Sequence, residues 1–416
     1  MSDAVHITDY ARPRFPLPLR LVNASRPLLR ALVSLEPDAL IEAAQRKTGL
    51  SDFGPDSWRE PFHVLVDAIR READLSGMGL VATRGLLVGL LANRLLLEDL
   101  LRREPEILDE AIERPLIIAG LPRTGTTHLH NLISADPGWR SLPYWESLEP
   151  IPDPREKPRA DGRDPRVARC ERAMELQDYA MPLFKRMHEM PPDGTHEEIQ
   201  LLAMDFSTML FESAYRIPTY RAWYKATDQT PAYRYLARVL KALQWLRGPK
   251  RWALKSPQHL EQIGPLVGVF PDAYFVQTHR DPLRITVSLL TMLAYGHRIN
   301  GRNIDPLQIG RDWSARVEDL LRASVEQRPL LPREQTLDVV FSEFMQDDLA
   351  AVERVYAFAG QPLTPAGREA IARYRAANPR GKHGTVAYRL DDFGVDAAER
   401  RRALRFYQER FVIADE

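Results

Sequence analysis

The run Pro115-Leu116-Ile117-Ile118-Ala119-Gly120-Leu121-Pro122-Arg123-Thr124-Gly125-Thr126-Thr127 has the composition of an anion cradle. An apolar stretch ends in a turn rich in Gly and Thr, and a helical pattern follows from His128 to Ile133. Strand, turn and helix start in that order leave backbone N–H groups free at the helix N-terminus, where the helix dipole also favours negative charge. Gly120, Gly125 and Thr127 fit the nucleotide P-loop, Gly-x-x-x-x-Gly-Lys-[Ser/Thr], but Thr126 stands where that loop has its lysine. That lysine reaches the terminal phosphates of a nucleoside triphosphate, so its replacement argues against ATP or GTP. A cation does occur earlier in the turn, at Arg123, whose guanidinium can make paired N–H contacts to an oxyanion. A tight turn with no ligand would share this composition, so the loop has to be weighed with the rest of the chain.

Pro122-Arg123-Thr124-Gly125-Thr126-Thr127 resembles the 5′-phosphosulfate loop of the sulfotransferases that use 3′-phosphoadenylyl sulfate (PAPS). Far along the chain, Ala273-Tyr274-Phe275-Val276-Gln277-Thr278-His279-Arg280 reads as a buried strand, with Asp281 as N-cap and Pro282 as first residue of a helix. This segment is similar to the family's 3′-phosphate site, which has an Arg at a strand end and a Ser two helical turns later. Arg280 and Ser288 have that spacing. Asn378-Pro379-Arg380-Gly381-Lys382-His383-Gly384 resembles the family's basic loop over the 3′-phosphate, in scrambled order. From about Arg114 onward the chain is similar to a large bacterial group within this family. The resemblance implies PAPS as co-substrate, with no metal. It implies Arg123, Thr124, Gly125, Thr126 and Thr127 on the 5′ side, and Arg280, Ser288, Arg380 and Lys382 on the 3′ side.

Sulfuryl transfer, like phosphoryl transfer, depends on positioning and charge stabilisation. It needs cations around the transferring group and a base for the acceptor hydroxyl. Arg123 is the first cation. Lys255 is the second, at the end of Trp252-Ala253-Leu254-Lys255, because α/β sheets build their sites at strand C-termini. The resemblance also implies a lysine there. For the base, Glu146 follows Leu142-Pro143-Tyr144-Trp145, a pattern similar to tyrosylprotein and some bacterial sulfotransferases. Desolvation beside Trp145 would raise its pKa toward a useful value. His259 is the alternative. Cytosolic small-molecule sulfotransferases have a histidine two residues after the matching lysine, where this chain has Pro257, so Glu146 is favoured. Two other readings of the loop stay open: a P-loop kinase-like phosphotransferase, and a non-catalytic nucleotide-binding protein.

The elements that must hold these residues read as α/β. Strands are expected at Leu116–Gly120, Trp252–Lys255, Tyr274–His279 and Leu337–Phe341, with helical patterns between them. That order predicts a P-loop-like, mostly parallel sheet with helices on both faces. Residues 1–113 read as a helical N-terminal region packed on the core, with an acceptor pocket or a homo-oligomer contact as the roles open to it. Residues 114–416 form the α/β domain, with a helical insertion around 164–248. Within that insertion Thr195 and Glu198 have capping-box spacing. Its Met and aromatic residues, Met181, Phe184, Met209 and Phe211 among them, imply an apolar acceptor (lipid, sterol or phenol) where they line a cleft.

Composition narrows the partners. Lys+Arg and Asp+Glu are both 57, so nothing in the bulk charge draws the chain to nucleic acid. One cysteine, Cys170, excludes an internal disulfide and suits a reducing cytoplasm. No basic-then-apolar leader opens the sequence. The stretch Gly85 to Leu101 is interrupted by Arg94, Glu98 and Asp99, and is expected as a buried helix rather than a membrane span. His128 and His130 are two apart on a helix and do not share a face, so no metal site is expected there.

Overall fold

The computed structural model describes residues 4–157, 159–379 and 381–416. Among the described residues, seven strands occur in chain order: β1 Leu116–Ala119, β2 Trp139–Arg140, β3 Leu142–Pro143, β4 Thr195–His196, β5 Arg251–Lys255, β6 Tyr274–His279 and β7 Thr336–Val340. Five of them make one sheet in the order β2-β5-β1-β6-β7. Every pairing in it is parallel. β1 lies at the centre, and all four of its residues are buried. Its unbroken apolar run is what a strand covered on both faces requires. β3 and β4 pair antiparallel as a separate two-stranded ribbon.

The register sets the height of the site. Ile118 pairs with Lys255 on one side, and Ala119 with Gln277 on the other. The C-terminal ends of β5, β1 and β6 therefore lie side by side, with the Gly120 turn between Lys255 and Arg280.

The N-terminal residues form helices Leu17–Ala24, Arg26–Leu32, Pro37–Thr48, Arg59–Glu72 and Gly77–Arg103. They share one apolar core with the sheet, running from Leu40, Trp58 and Leu91 through to Ile117 and Leu254. Helix Gly77–Arg103 is long and apolar enough to cross a membrane by length and composition, but 61% of its most apolar window is buried inside the fold. It is longer than the apolar stretch suggested, and its charges have internal partners. Arg94 is fully buried, bonding Asp205 Oδ1 at 2.7 Å and the carbonyls of Phe53 and Pro55 at 2.7 and 2.6 Å. Glu98 is bonded by Arg238 at 2.7 Å. Such pairing is the condition for a charge inside a core.

Candidate active site

The turn after β1 is shaped by two close approaches. A Cβ on Gly120 would stand 2.1 Å from Thr278 Oγ1, so only glycine fits. Gly125 has φ +89°, the left-handed region where glycine is favoured, and it caps helix Thr126–Ser134 with no side-chain bond. The N–H groups of that first turn have no partner within the helix. Thr124 Oγ1 bonds Leu121 O at 2.7 Å and Thr278 Oγ1 at 2.6 Å, which ties the loop to β6. Arg123 has φ +79°, a costly conformation for a side-chain-bearing residue. Its carbonyl accepts from Arg280 Nη1 at 3.0 Å, so Arg280 holds the turn in that shape. The Arg123 guanidinium donates to Met187 O at 2.6 Å and lies 3.5 Å from the Tyr388 hydroxyl.

Arg280 also receives an anion from the chain itself. Its Nε and Nη2 bond the Glu416 carboxylate at 3.0 and 2.8 Å, and its guanidinium lies over the Phe341 ring at 4.0 Å. Asp281 caps helix Pro282–Gly296 by accepting from Leu283 N, as the sequence implies. On that helix, Ser288 is 5% exposed, off the wall of the cleft that Arg280 lines, and its hydroxyl has no hydrogen-bond partner among the described residues. Lys382 lines the same cleft and pairs with Glu189 at 2.7 Å. Arg380 lies outside the described residues.

Lys255 is buried. It pairs with Glu197, and its Nζ lies 3.4 Å from Thr127 Oγ1 at the start of the loop helix. Around this pair the cleft wall carries His188, His196 and Tyr144. Desolvation, aided by the nearby Lys255 charge, pushes His188 down to about 4. Desolvation also holds His196 well below its usual value, with His188 and Lys255 adding to the effect. Both rings are therefore neutral near pH 7.

The two residues expected as bases lie elsewhere. Glu146 is 1% exposed and does not line the cleft. Arg140 bonds its Oε2 at 2.8 Å, and Arg247 pairs with Oε1 at 2.7 Å, so both oxygens are committed to cations. His259 is buried too. Its Nε2–H donates to Glu198 Oε1 at 2.5 Å, and its Nδ1 lies 2.7 Å from the Tyr233 hydroxyl. Glu198 Oε2 accepts from the Lys255 backbone N–H at 2.8 Å. This relay ties His259 to the end of β5. Thr195 to Glu198 is no capping box either: Thr195–His196 is β4, and Glu198 points to His259. The spacing concealed Glu197, the cleft-lining carboxylate paired with Lys255. One signal was available, two adjacent acids running straight into Ile199-Gln200-Leu201-Leu202.

The cleft encloses about 1570 Å³ and runs from the loop to the N-terminal helices. That exceeds the roughly 300–1,000 Å³ of an ordinary small-molecule pocket, and leaves room for two ligands end to end. Beyond His188 and Glu197 its wall is mostly apolar, with Met181, Phe184, Met209, Leu289 and Met292 among a few polar residues such as Gln200 and Ser213. Cys170 is buried, and burial pushes its thiol up to about 12, which leaves it inert.

Residues 115–365 match the sequence pattern that defines the Sulfotransferase family. The fold is similar to sulfotransferase STF1 from Mycobacterium tuberculosis H37Rv, with a TM-score of 0.77, 30% identity, and coverage of 89% of this chain and 98% of that one. It is also similar to sulfotransferase STF9 from Mycobacterium avium, with a TM-score of 0.81, 29% identity, and coverage of 92% and 98%. A curated relative is the omega-hydroxy-beta-dihydromenaquinone-9 sulfotransferase Stf3 of Mycobacterium tuberculosis, 26% identical over 253 residues. That match spans 59% of this chain and 62% of the length of Stf3.

Proposed function

Because this chain belongs to the sulfotransferase family, we propose that it moves a sulfuryl group from PAPS to the hydroxyl of an apolar, lipid-like acceptor, releasing 3′-phosphoadenosine 5′-phosphate (PAP). The observation that carries the reading is a pair of places suited to anions, side by side at the C-terminal end of the parallel sheet. One is the uncapped, glycine-shaped helix start at Gly125; the other is the Arg280 fork with its internal carboxylate. The buried hydroxyl of Ser288, two turns along the helix that follows Arg280 and without a partner among the described residues, is available for a second contact. A donor charged at both its 5′ and 3′ ends matches two such places.

PAPS supplies a sulfuryl group on a phosphate leaving group. Glu197 accepts the proton of the acceptor hydroxyl as its oxygen bonds to sulfur. Lys255, already paired with Glu197, stabilises the charge that passes to the departing phosphate oxygen. The N–H groups of Thr126 and Thr127 hold the same phosphate. Arg123 exchanges Met187 O for a donor oxygen. Arg280, Ser288 and Lys382 hold the 3′-phosphate. The Met- and Leu-lined part of the cleft supports an apolar acceptor, and the relative Stf3, named for a hydroxylated menaquinone, points the same way.

Calorimetric titration with PAP in EDTA, with ATP as control, tests the donor site. Tight PAP and weak ATP binding are expected. ATP binding that appears only with Mg²⁺, without PAP binding, would replace this reading with a phosphotransferase. Labelled PAPS with a panel of long-chain alcohols and phenols then tests the acceptor.

A further inference from the structure

Helices Leu17–Ala24 and Arg26–Leu32 form the far rim of the cleft. Their inner sides contribute Leu19, Val22 and Leu29 to its wall. Their outer sides present Leu17, Leu21, Leu28 and Leu32 to water, each 61% to 71% exposed. Leu17 and Leu21 are four apart, as are Leu28 and Leu32, so each pair shares a helix face. Single exposed leucines are ordinary; four on adjacent helices at the rim of an apolar cleft form a patch. Val81 and Leu176 line the cleft and are themselves 49% and 58% exposed, so its mouth opens here.

Charge at this rim is one-sided. From Tyr10 to Leu35 there are five arginines and no acidic residue, in a chain whose net charge is +0. Arg26 is bound internally, to Leu75 O at 2.7 Å and to Asp74. Arg20 and Arg30 are exposed, and among the described residues neither has an acidic partner. Exposed leucines flanked by unpaired arginines are the composition of helices that lie on an anionic bilayer. A symmetric contact between two copies would set these arginines against each other.

We propose that this helix pair docks the protein on an anionic lipid bilayer, and that the apolar acceptor passes from the bilayer into the cleft through the mouth beside Val81 and Leu176. The acceptor half of this rests on the function proposed above; the docking half does not. The route spares an apolar acceptor a passage through water.

The test uses the full chain and flotation with vesicles of phosphatidylcholine alone, or with added phosphatidylglycerol. The wild-type protein is expected to float with the anionic vesicles, less so at high salt, and weakly with the neutral ones. The double variants Leu21→Glu/Leu28→Glu and Arg20→Glu/Arg30→Glu should each lose about tenfold or more in partition. Their PAP affinity and turnover of a water-soluble phenol should stay unchanged, while turnover of a long-chain alcohol held in vesicles falls with the partition. Equal partition of variants and wild type, or no flotation of wild type, overturns the proposal. So does a solution dimer that the leucine variant splits, which would make the patch a chain–chain contact. Failure of wild type to bind PAP or turn over any phenol would strike the donor and transfer reading instead, since flotation is read without either.

Discussion

Replacing Glu146 and Glu197 by glutamine, separately, should produce defects that turnover tells apart. Glu146 lies between Arg140 and Arg247, whose side chains are 10% and 37% exposed. Desolvation already lowers the pKa of Arg140, with the Glu146 charge as the main opposing influence. Glu146→Gln keeps the shape and removes the charge, leaving buried Arg140 with the Trp252 ring 4.8 Å away and the like charge of Arg247 nearby. Breaking a buried pair costs about 3–5 kcal/mol. Arg247 is more than a third exposed and its share is screened, so the loss should fall near the lower end, about 3 kcal/mol. Denaturant unfolding measures it. PAP affinity and, below the unfolding range, turnover should change little. Glu197→Gln also strips a buried cation, Lys255, of its partner and so costs stability as well, but below the unfolding range it should lower kcat by about 10²-fold or more, the usual contribution of a general base. If Glu146→Gln stays as stable as wild type but loses turnover, while Glu197→Gln turns over normally, the assignment of the two carboxylates is refuted.

Arg280→Ala should weaken PAP binding by about 10- to 100-fold, the worth of charge-assisted hydrogen bonds. Glu416→Ala should strengthen it by up to about tenfold, because the internal carboxylate no longer competes; calorimetry reads both. Gly120→Ala forces a methyl against Thr278 and should cost about 1–3 kcal/mol in unfolding free energy together with PAP affinity. Burial pushes His297 from 6.5 to about 4, so between those pH values the unfolded chain holds a proton that the folded one does not. Stability is therefore retained above pH 6.5 and falls as pH drops toward 4, by about 1.4 kcal/mol per pH unit for each such histidine. His297→Gln should flatten that slope by one proton in denaturation series across the window.

The sheet was readable because its strands are buried on both faces. The unbroken apolar run of β1 and the apolar stretches within β5 and at the start of β6 need no partner to be recognised, and the Gly120–Thr127 turn follows the first of them directly. The two-residue β2 carries no such run. The base was harder for a different reason. Glu146 and Glu197 are both acids beside aromatic or histidine neighbours, and local context does not separate them. What separates them is Arg247, about a hundred residues from Glu146, and Lys255 opposite Glu197. His259 likewise matches a catalytic histidine in type but not in surroundings, since Glu198 and Tyr233 arrive from other elements to enclose it.

The register of β5, β1 and β6 has an evolutionary consequence. Lys255, the Gly120–Thr127 loop and Arg280 hang from three adjacent strand ends, braced by Thr278 and the Glu198–His259 relay. Met181, Met209 and Phe184 stand on segments outside that sheet. Exchange of one apolar side chain for another there leaves every strand end where it was. Selection can therefore retune what the protein sulfates, one wall residue at a time, while the machinery that handles the donor is inherited unchanged.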